Sequence, residues 1–241
     1  MPTTADAPKC FAMVSEQRIL DWILHALRKN GIEQIGFIGG YQIDCVRESN
    51  PEFTFVHNQD WQNNNIMESL MCAESLMDDG FICCYSDILF TPQGVADLLN
   101  SDADISLLVD TAWKTRYVDR TEHPTDDAEK VTVDQGQVTR IHREIPEADA
   151  YGEFAGVAKF NRSGAQALRD HYHLCRQQFA GQPFRESRLF EKSYLIHLLQ
   201  DMLEHGSHMC HVDTAGGYIE IDTQQDFDYA RQRWAADHLL R

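Results

Sequence analysis

Asp87 closes an apolar run, Phe81-Ile82-Cys83-Cys84-Tyr85-Ser86-Asp87, shortly before the turn signal Thr91-Pro92. Such a run predicts a buried strand that delivers a carboxylate to its exit, where ligands gather in open α/β sheets. A structural reading competes with it: the same carboxylate would cap the helix expected from Pro92. Asp222 ends a second strand-like run that starts at Gly216-Gly217. Either aspartate alone says little. Together they form a candidate metal centre, because Mg²⁺ is held by one or two carboxylates plus substrate phosphates.

Other residues offer weaker chemistry. Asn65 and Ser69 stand four apart at the front of a predicted helix, where an amide and a hydroxyl can share a face and read a base or a sugar; simple helix capping by the asparagine is the plainer reading. Gly39-Gly40-Tyr41 follows a predicted strand and lets a backbone or ligand come close. His205, His208 and His211 sit beside Cys210, but His208 and His211 would point to opposite sides of a strand, which argues against zinc, and His205 reads as the end of a helix at Gly206. His171 and His173 are two apart on a helix and cannot share a face, so solvated side chains are expected. The sequence has no G-x-S-x-G elbow and no G-x-x-x-x-G-K-[ST] loop, which disfavours nucleophilic hydrolases and P-loop enzymes.

The elements that must position these groups follow from periodicity. A polar loop over residues 1–9 precedes a helix with Ile19, Leu20, Ile23, Leu24 and Leu27 on one face, Ser15 as its candidate N-cap and Gly31 as its stop. Short strands are expected at 34–38 and 53–56, a helix carrying Ile66, Leu70, Ala73 and Met77, the Asp87 strand, a helix over 92–100 and a buried strand over 105–109. Residues 111–130 form a charged loop containing Lys114, Arg116 and Arg120. A hairpin turns at Gln135-Gly136, a strand covers 151–160, and helices span 163–177 and 187–204. A final helix, N-capped by Thr223, carries Phe227, Ala230 and Trp234, with His238 one turn beyond. The alternation of helices with buried strands predicts one α/β domain over 1–241 with a mixed, mostly parallel sheet, and 111–150 as an insertion near the active site.

Composition limits the partners. The chain has 241 residues, 43% of them hydrophobic, enough for a large core. A formal charge of −17 argues against nucleic acid or an anionic membrane as partner and implies that phosphate chemistry here must recruit cations locally. There is no apolar run long enough for a membrane span and no signal-like start; seven cysteines without metal spacing suggest a reducing compartment, so the cytoplasm is expected.

Taken together, Pro8-Lys9, Lys29-Asn30-Gly31-Ile32, Gly39-Gly40-Tyr41, Asn65 with Ser69, Tyr85-Ser86-Asp87 and Glu220-Ile221-Asp222-Thr223 resemble the nucleotidyltransferase superfamily that activates sugar phosphates and phosphocholine. Asn65 to Ser69, Tyr85 to Phe90 and Gly152-Glu153-Phe154-Ala155-Gly156 are most similar to the phosphocholine and phosphonate cytidylyltransferases, including the domain fused to phosphoenolpyruvate mutase. The resemblance implies a Rossmann-like α/β/α sandwich. It also implies Mg²⁺ on Asp87 and Asp222, Lys9 on phosphate, Gly39, Gly40, Asn65 and Ser69 around the nucleotide, and Glu153, Lys130, Lys114 and Arg116 as candidates for the acceptor. The implied reaction is transfer of a cytidylyl group from CTP, or another nucleoside triphosphate, to a small acceptor such as 2-aminoethylphosphonate or phosphocholine, with a homodimer as one admissible assembly. The family's opening strand and glycine-rich loop have no counterpart in this sequence, so the expected sheet lacks its first strand. Ser86 also stands where the family usually has glycine. A sugar-1-phosphate nucleotidylyltransferase and a noncatalytic nucleotide-binding or scaffold domain are the alternatives.

Overall fold

A computed structural model describes residues 7–118, 120–122 and 124–238, with side chains through 234. The loop expected at 1–6 and the side chain of His238 lie outside the described residues. After a single 3-10 turn at Lys9–Phe11, a tight hairpin of β1 (Met13–Val14) and β2 (Gln17–Arg18) leads into α1 (Ile19–Arg28). Ser15 therefore occupies the hairpin turn, not the N-cap of α1. That position falls to Arg18, whose amide donates to Asp21 Oδ2 at 3.1 Å. The apolar stripe of α1 is buried as its spacing predicts.

β3 (Gly36–Gly39), α2 (Ile43–Ser49) and β4 (Thr54–His57) form a crossover unit in which β3 and β4 run parallel, Phe37 opposite Phe55. α3 (Ile66–Met71) is shorter than its pattern; a 3-10 turn at Glu74–Leu76 buries Ala73 and Met77 instead. The Asp87 run is two strands, β5 (Phe81–Cys84) and β6 (Ile88–Phe90), broken at Tyr85-Ser86-Asp87. α4 (Pro92–Asn100) is capped by Thr91 Oγ1, which accepts the Gly94 amide at 3.2 Å, so Asp87 is not the cap.

β7 (Ile105–Asp110), the single turn α5 (Lys114–Tyr117), the hairpin of β8 (Lys130–Asp134) and β9 (Gln137–Ile141), and β10 (Gly152–Phe160) follow. α6 (Arg162–Phe179) matches its pattern, but α7 (Leu195–Glu204) begins well after Ser187, because Ser187 bridges back to Phe184 and Phe190 turns into the core. β11 (Cys210–Thr214), β12 (Tyr218–Glu220) and α8 (Gln224–His238) complete the chain.

The main sheet has the order β5-β10-β7-β11-β9-β8. β5, β7 and β11 share one direction, and β10 is inserted antiparallel between β5 and β7. Alternation along the strands feeds two cores: Leu107, Val109, Phe154 and Ala158 face α3, α6 and α7, whereas Leu108, Ala155 and Val157 face α1, α4 and α8. This is the expected sandwich, but its sheet is mixed and not mostly parallel as expected: among the described strands of the main sheet only β7 and β11 pair in parallel, because β10 and β9 return antiparallel beside them. β10 slips register against β7 between Phe154 and Ala158, around Gly156 at φ 68°. A Cβ there would lie 2.6 Å from the Tyr85 ring, so glycine lets the strand bulge where Tyr85 leaves β5.

Among the described residues no strand joins β3 to β5. Both line an apolar groove of about 700 Å³, with Ile23, Leu27 and Leu70 on its walls. No described helix is long and apolar enough to cross a membrane.

Candidate active site

The β6–β12 ladder sets the centre of the site. Ile88 pairs with Glu220, and the Ile221 amide donates to the Asp87 carbonyl at 3.0 Å, so the residue entering β6 and the residue leaving β12 emerge side by side. Lys9, in the 3-10 turn after Pro8, donates to Asp87 Oδ2 at 3.0 Å and to Asp222 Oδ1 at 2.5 Å. Burial works against the Lys9 charge, but the two carboxylates outweigh it and hold its pKa above the ordinary lysine value. Both aspartates remain partly exposed, 28% and 45% by side chain, and their oxygens converge on one cation. Two hard oxygen donors meeting at one point beside an open cleft are a donor set that a divalent ion of the Mg²⁺ or Mn²⁺ class accepts.

The cleft beside this cluster has a volume of about 420 Å³. Glu122, Asp127, Glu129, Glu153 and Glu220 add their carboxylates to those of Asp87 and Asp222, and Tyr85, Phe154, Tyr194 and Tyr218 supply rings. Arg143 is the one cation among the described lining residues. Its guanidinium lies 4.2 Å from the centre of the Tyr194 ring and donates to Glu129 Oε1 at 3.4 Å. The Tyr85 hydroxyl donates to the other oxygen of Glu129 at 3.3 Å. Burial pushes the Glu129 carboxyl up to about 7, although Arg143 and the Tyr85 hydroxyl pull the other way. Glu220 is raised as well, first by burial and then by the neighbouring Asp222 and Asp87 charges.

The chain matches no family model. Over 95% of its length it is 25% identical to a CTP:phosphoglutamine cytidylyltransferase of Campylobacter jejuni, 92% of which is covered. A bifunctional IPC transferase and DIPP synthase of Rubrobacter xylanophilus is 25% identical over 95% of the chain, which spans about half (49%) of that longer protein. In fold, the chain is similar to the inositol-1-phosphate CTP transferase from T. maritima, with a TM-score of 0.73 and 18% identity over 99% of this chain and 92% of that one. The CTP:phosphocholine cytidylyltransferase LicC from Streptococcus pneumoniae gives 0.69 and 17% over 96% and 91%. In sequence and in fold the chain is similar to these nucleotidyltransferases.

In this chain the sequence-predicted residues separate into three groups. Lys9, Asp87 and Asp222 come together. Asn65 and Glu153 line the cleft, but both are engaged: Asn65 Oδ1 accepts the Ile66 amide at 2.8 Å, and its amide nitrogen donates to the Lys192 carbonyl at 3.2 Å. Glu153 accepts from Arg116 through Oε2 and from the Tyr117 hydroxyl through Oε1 at 2.8 Å.

The remaining candidates lie outside the cleft lining. Arg116 is buried between Glu153 and Asp110, 3.1 Å from Asp110 Oδ2, so its charge is already matched inside the protein. Lys130 is buried and donates to the carbonyls of Thr125 and Ala128, and Lys114 donates to the Glu147 carbonyl at 2.7 Å. Ser69 Oγ accepts from Asn58 Nδ2 at 2.7 Å. Gly40 makes room for Trp61, whose Cγ would lie 2.3 Å from an added Cβ; Gly39 meets Phe37 and Ile43 in the same way.

Sequence reasoning missed Glu129, Arg143 and the Asp226–Arg120 pair. Buried Asp226 accepts from Arg120 Nε at 2.7 Å and, through its other oxygen, from the amides of Asp222 at 3.1 Å and Thr223 at 2.8 Å. Thr223 Oγ1 accepts the Asp226 amide in return, the predicted N-cap of α8. The signal available in the sequence was Thr223-x-x-Asp226 itself; nothing in it pointed to Arg120 as the partner.

Proposed function

We propose that the chain transfers a cytidylyl group from CTP to a small phosphate or phosphonate that carries an ammonium group, releasing pyrophosphate, with Mg²⁺ held by Asp87 and Asp222. The observation that carries this reading is the convergence of Asp87, Asp222 and Lys9 at the mouth of a cleft rich in carboxylates and rings with a single guanidinium. When bound, Mg²⁺ neutralises charge on the reacting phosphates.

The chain's own residues do the rest. Lys9 offsets triphosphate charge, and the Asn65 amide stands at the cleft wall for the nucleotide. Arg143, already held over the Tyr194 ring, takes the acceptor's phosphate or phosphonate through parallel N–H groups. Glu129, Tyr85 and Tyr194 favour an ammonium on the same acceptor by charge and by cation–π attraction. An acceptor oxygen that is already anionic attacks the α-phosphorus in line and pyrophosphate departs, so no general base is required. Among the named substrates of the similar proteins, phosphoglutamine and phosphocholine both carry such a cation, whereas inositol 1-phosphate does not.

Phosphorus NMR of product mixtures tests the reading. CTP and UTP are each offered with 2-aminoethylphosphonate, phosphocholine, phosphoglutamine, inositol 1-phosphate and glucose 1-phosphate. A CMP-linked product with the cationic acceptors is expected, and turnover confined to glucose 1-phosphate would favour the sugar-1-phosphate alternative. The alternative is a nucleotide-binding domain without turnover. That reading expects CTP to bind while no pyrophosphate appears with any acceptor.

A further inference from the structure

α6 and α7 each turn two metal-ligating residue types, one helical turn apart, toward the same point. On α6 these are His171 and Cys175; on α7 they are Asp201 and His205, the residue that ends the helix. Asp201 Oδ2 is the centre. It lies 2.7 Å from His171 Nε2, 3.3 Å from His205 Nδ1 and 3.5 Å from Cys175 Sγ. The donor atoms of His171, Asp201 and His205 all fall within 4.8 Å of one another, and the two imidazole rings are 5.2 Å apart. His171 is thus turned inward against α7, 14% exposed by side chain, and not solvated as its spacing suggested.

The surroundings match a metal site in two further respects. Arg185 Nη1 donates to the other oxygen of Asp201 at 3.0 Å, an outer hydrogen bond of the kind that aims a ligating carboxylate. Glu204 pairs with the same guanidinium at 2.6 Å, so the arginine's charge is balanced locally and does not oppose a cation. Two imidazoles and one carboxylate oxygen, with a thiol within reach, are a borderline nitrogen and oxygen set suited to a tetrahedral ion of the zinc class; the oxygen-only sets of Mg²⁺ and Ca²⁺ look different. Asp201 lies seven residues beyond Tyr194 along α7, about 10 Å at the helical rise, so the site is separate from the cleft.

We infer that His171, Asp201 and His205 form a zinc-binding site that clips the end of α7 to α6.

The test uses the full chain, stripped with a chelator and titrated with Zn²⁺, beside the H171A and H205A variants. His205 is two-thirds exposed, so its replacement leaves the core untouched. One equivalent of zinc is expected on the wild-type chain, with affinity reduced on the order of 100-fold or more in each variant. Co²⁺ in place of zinc should give the intense visible absorption of tetrahedral coordination. Zinc should also raise the thermal unfolding midpoint of the wild-type chain with increasing concentration and leave that of H205A where it was. Equal zinc uptake by wild-type and variants, a weak octahedral Co²⁺ spectrum, or no stoichiometric uptake would each overturn the assignment.

Discussion

Asp87 and Asp222 are neighbours because the Ile221 amide donates to the Asp87 carbonyl at 3.0 Å, continuing the β6–β12 ladder by one rung. The two side chains then share a single ammonium, that of Lys9. Replacing either carboxylate by its amide keeps the shape and removes the charge proposed to collect a divalent ion. D87N and D222N are each expected to lower cytidylyl transfer by about 10²–10³-fold while circular dichroism stays that of the wild type. Turnover within a few-fold of wild type in either variant would remove the metal pair from the reaction.

Arg143 is expected to set acceptor affinity. Loss of a charge-assisted hydrogen bond costs about 1.5–3 kcal/mol, so R143A should raise the acceptor KM roughly 10- to 100-fold with little change in the KM for CTP. Lysine cannot reproduce the guanidinium's fork of donors beside Tyr194, so R143K should rescue only part of the loss. Steady-state kinetics with each substrate varied in turn would decide it.

The Glu129 carboxyl is pushed up to about 7 by burial, so under the proposed function binding of a cationic acceptor is expected to depend on pH. Below about 7 the group is protonated and neutral; above it the carboxylate forms and attracts the ammonium. The acceptor KM should therefore fall as pH rises through 7, and E129Q should flatten the profile. Stability runs the other way: between 4.5 and about 7 the folded chain keeps a proton that the unfolded chain has lost, so stability drops as pH rises across that window. Denaturation midpoints at several pH values, with E129Q losing this component, provide an independent check.

Asp226 acts through the backbone of Asp222. Removing its charge breaks a buried pair with Arg120 and withdraws the acceptor for two amides. D226A should cost about 3–5 kcal/mol of stability by chemical denaturation. At temperatures where the variant is folded, kcat should fall more than CTP affinity, because the Asp222 carboxylate is displaced without being removed.

G156A should destabilise by about 1–3 kcal/mol, since alanine at φ 68° is strained and its Cβ meets Tyr85. Crowding Tyr85 also disturbs the hydroxyl that donates to Glu129. A melting midpoint equal to wild type would mean that β10 relaxes its bulge.

Much of the scaffold was legible from periodicity. The α1 stripe, the Gln135-Gly136 hairpin, the buried strand from Ile105 and the Thr223 cap are encoded by residues that are neighbours in the chain, so a local pattern suffices. Boundaries failed where a tertiary contact overrode the pattern. Ser187 bridges to Phe184 instead of starting α7, and the Asp87 run breaks because Tyr85 must pack against the bulge at Gly156.

By itself the sequence determined that the protein is an acidic α/β chain and that Asp87 and Asp222 end strand-like runs; the extended setting that Pro8 suggests for Lys9 is a 3-10 turn instead. Those features depend on composition and on residues a few positions apart. Only the tertiary structure decided which charges are available to a ligand. Arg116 and Lys130 are consumed inside the protein, Arg143 and Glu129 face the cleft, and Asp226 anchors the loop of Asp222. A charged side chain looks the same in sequence whether it meets solvent, substrate or a buried partner; burial and the position of the opposite charge, often a hundred residues away, assign its role.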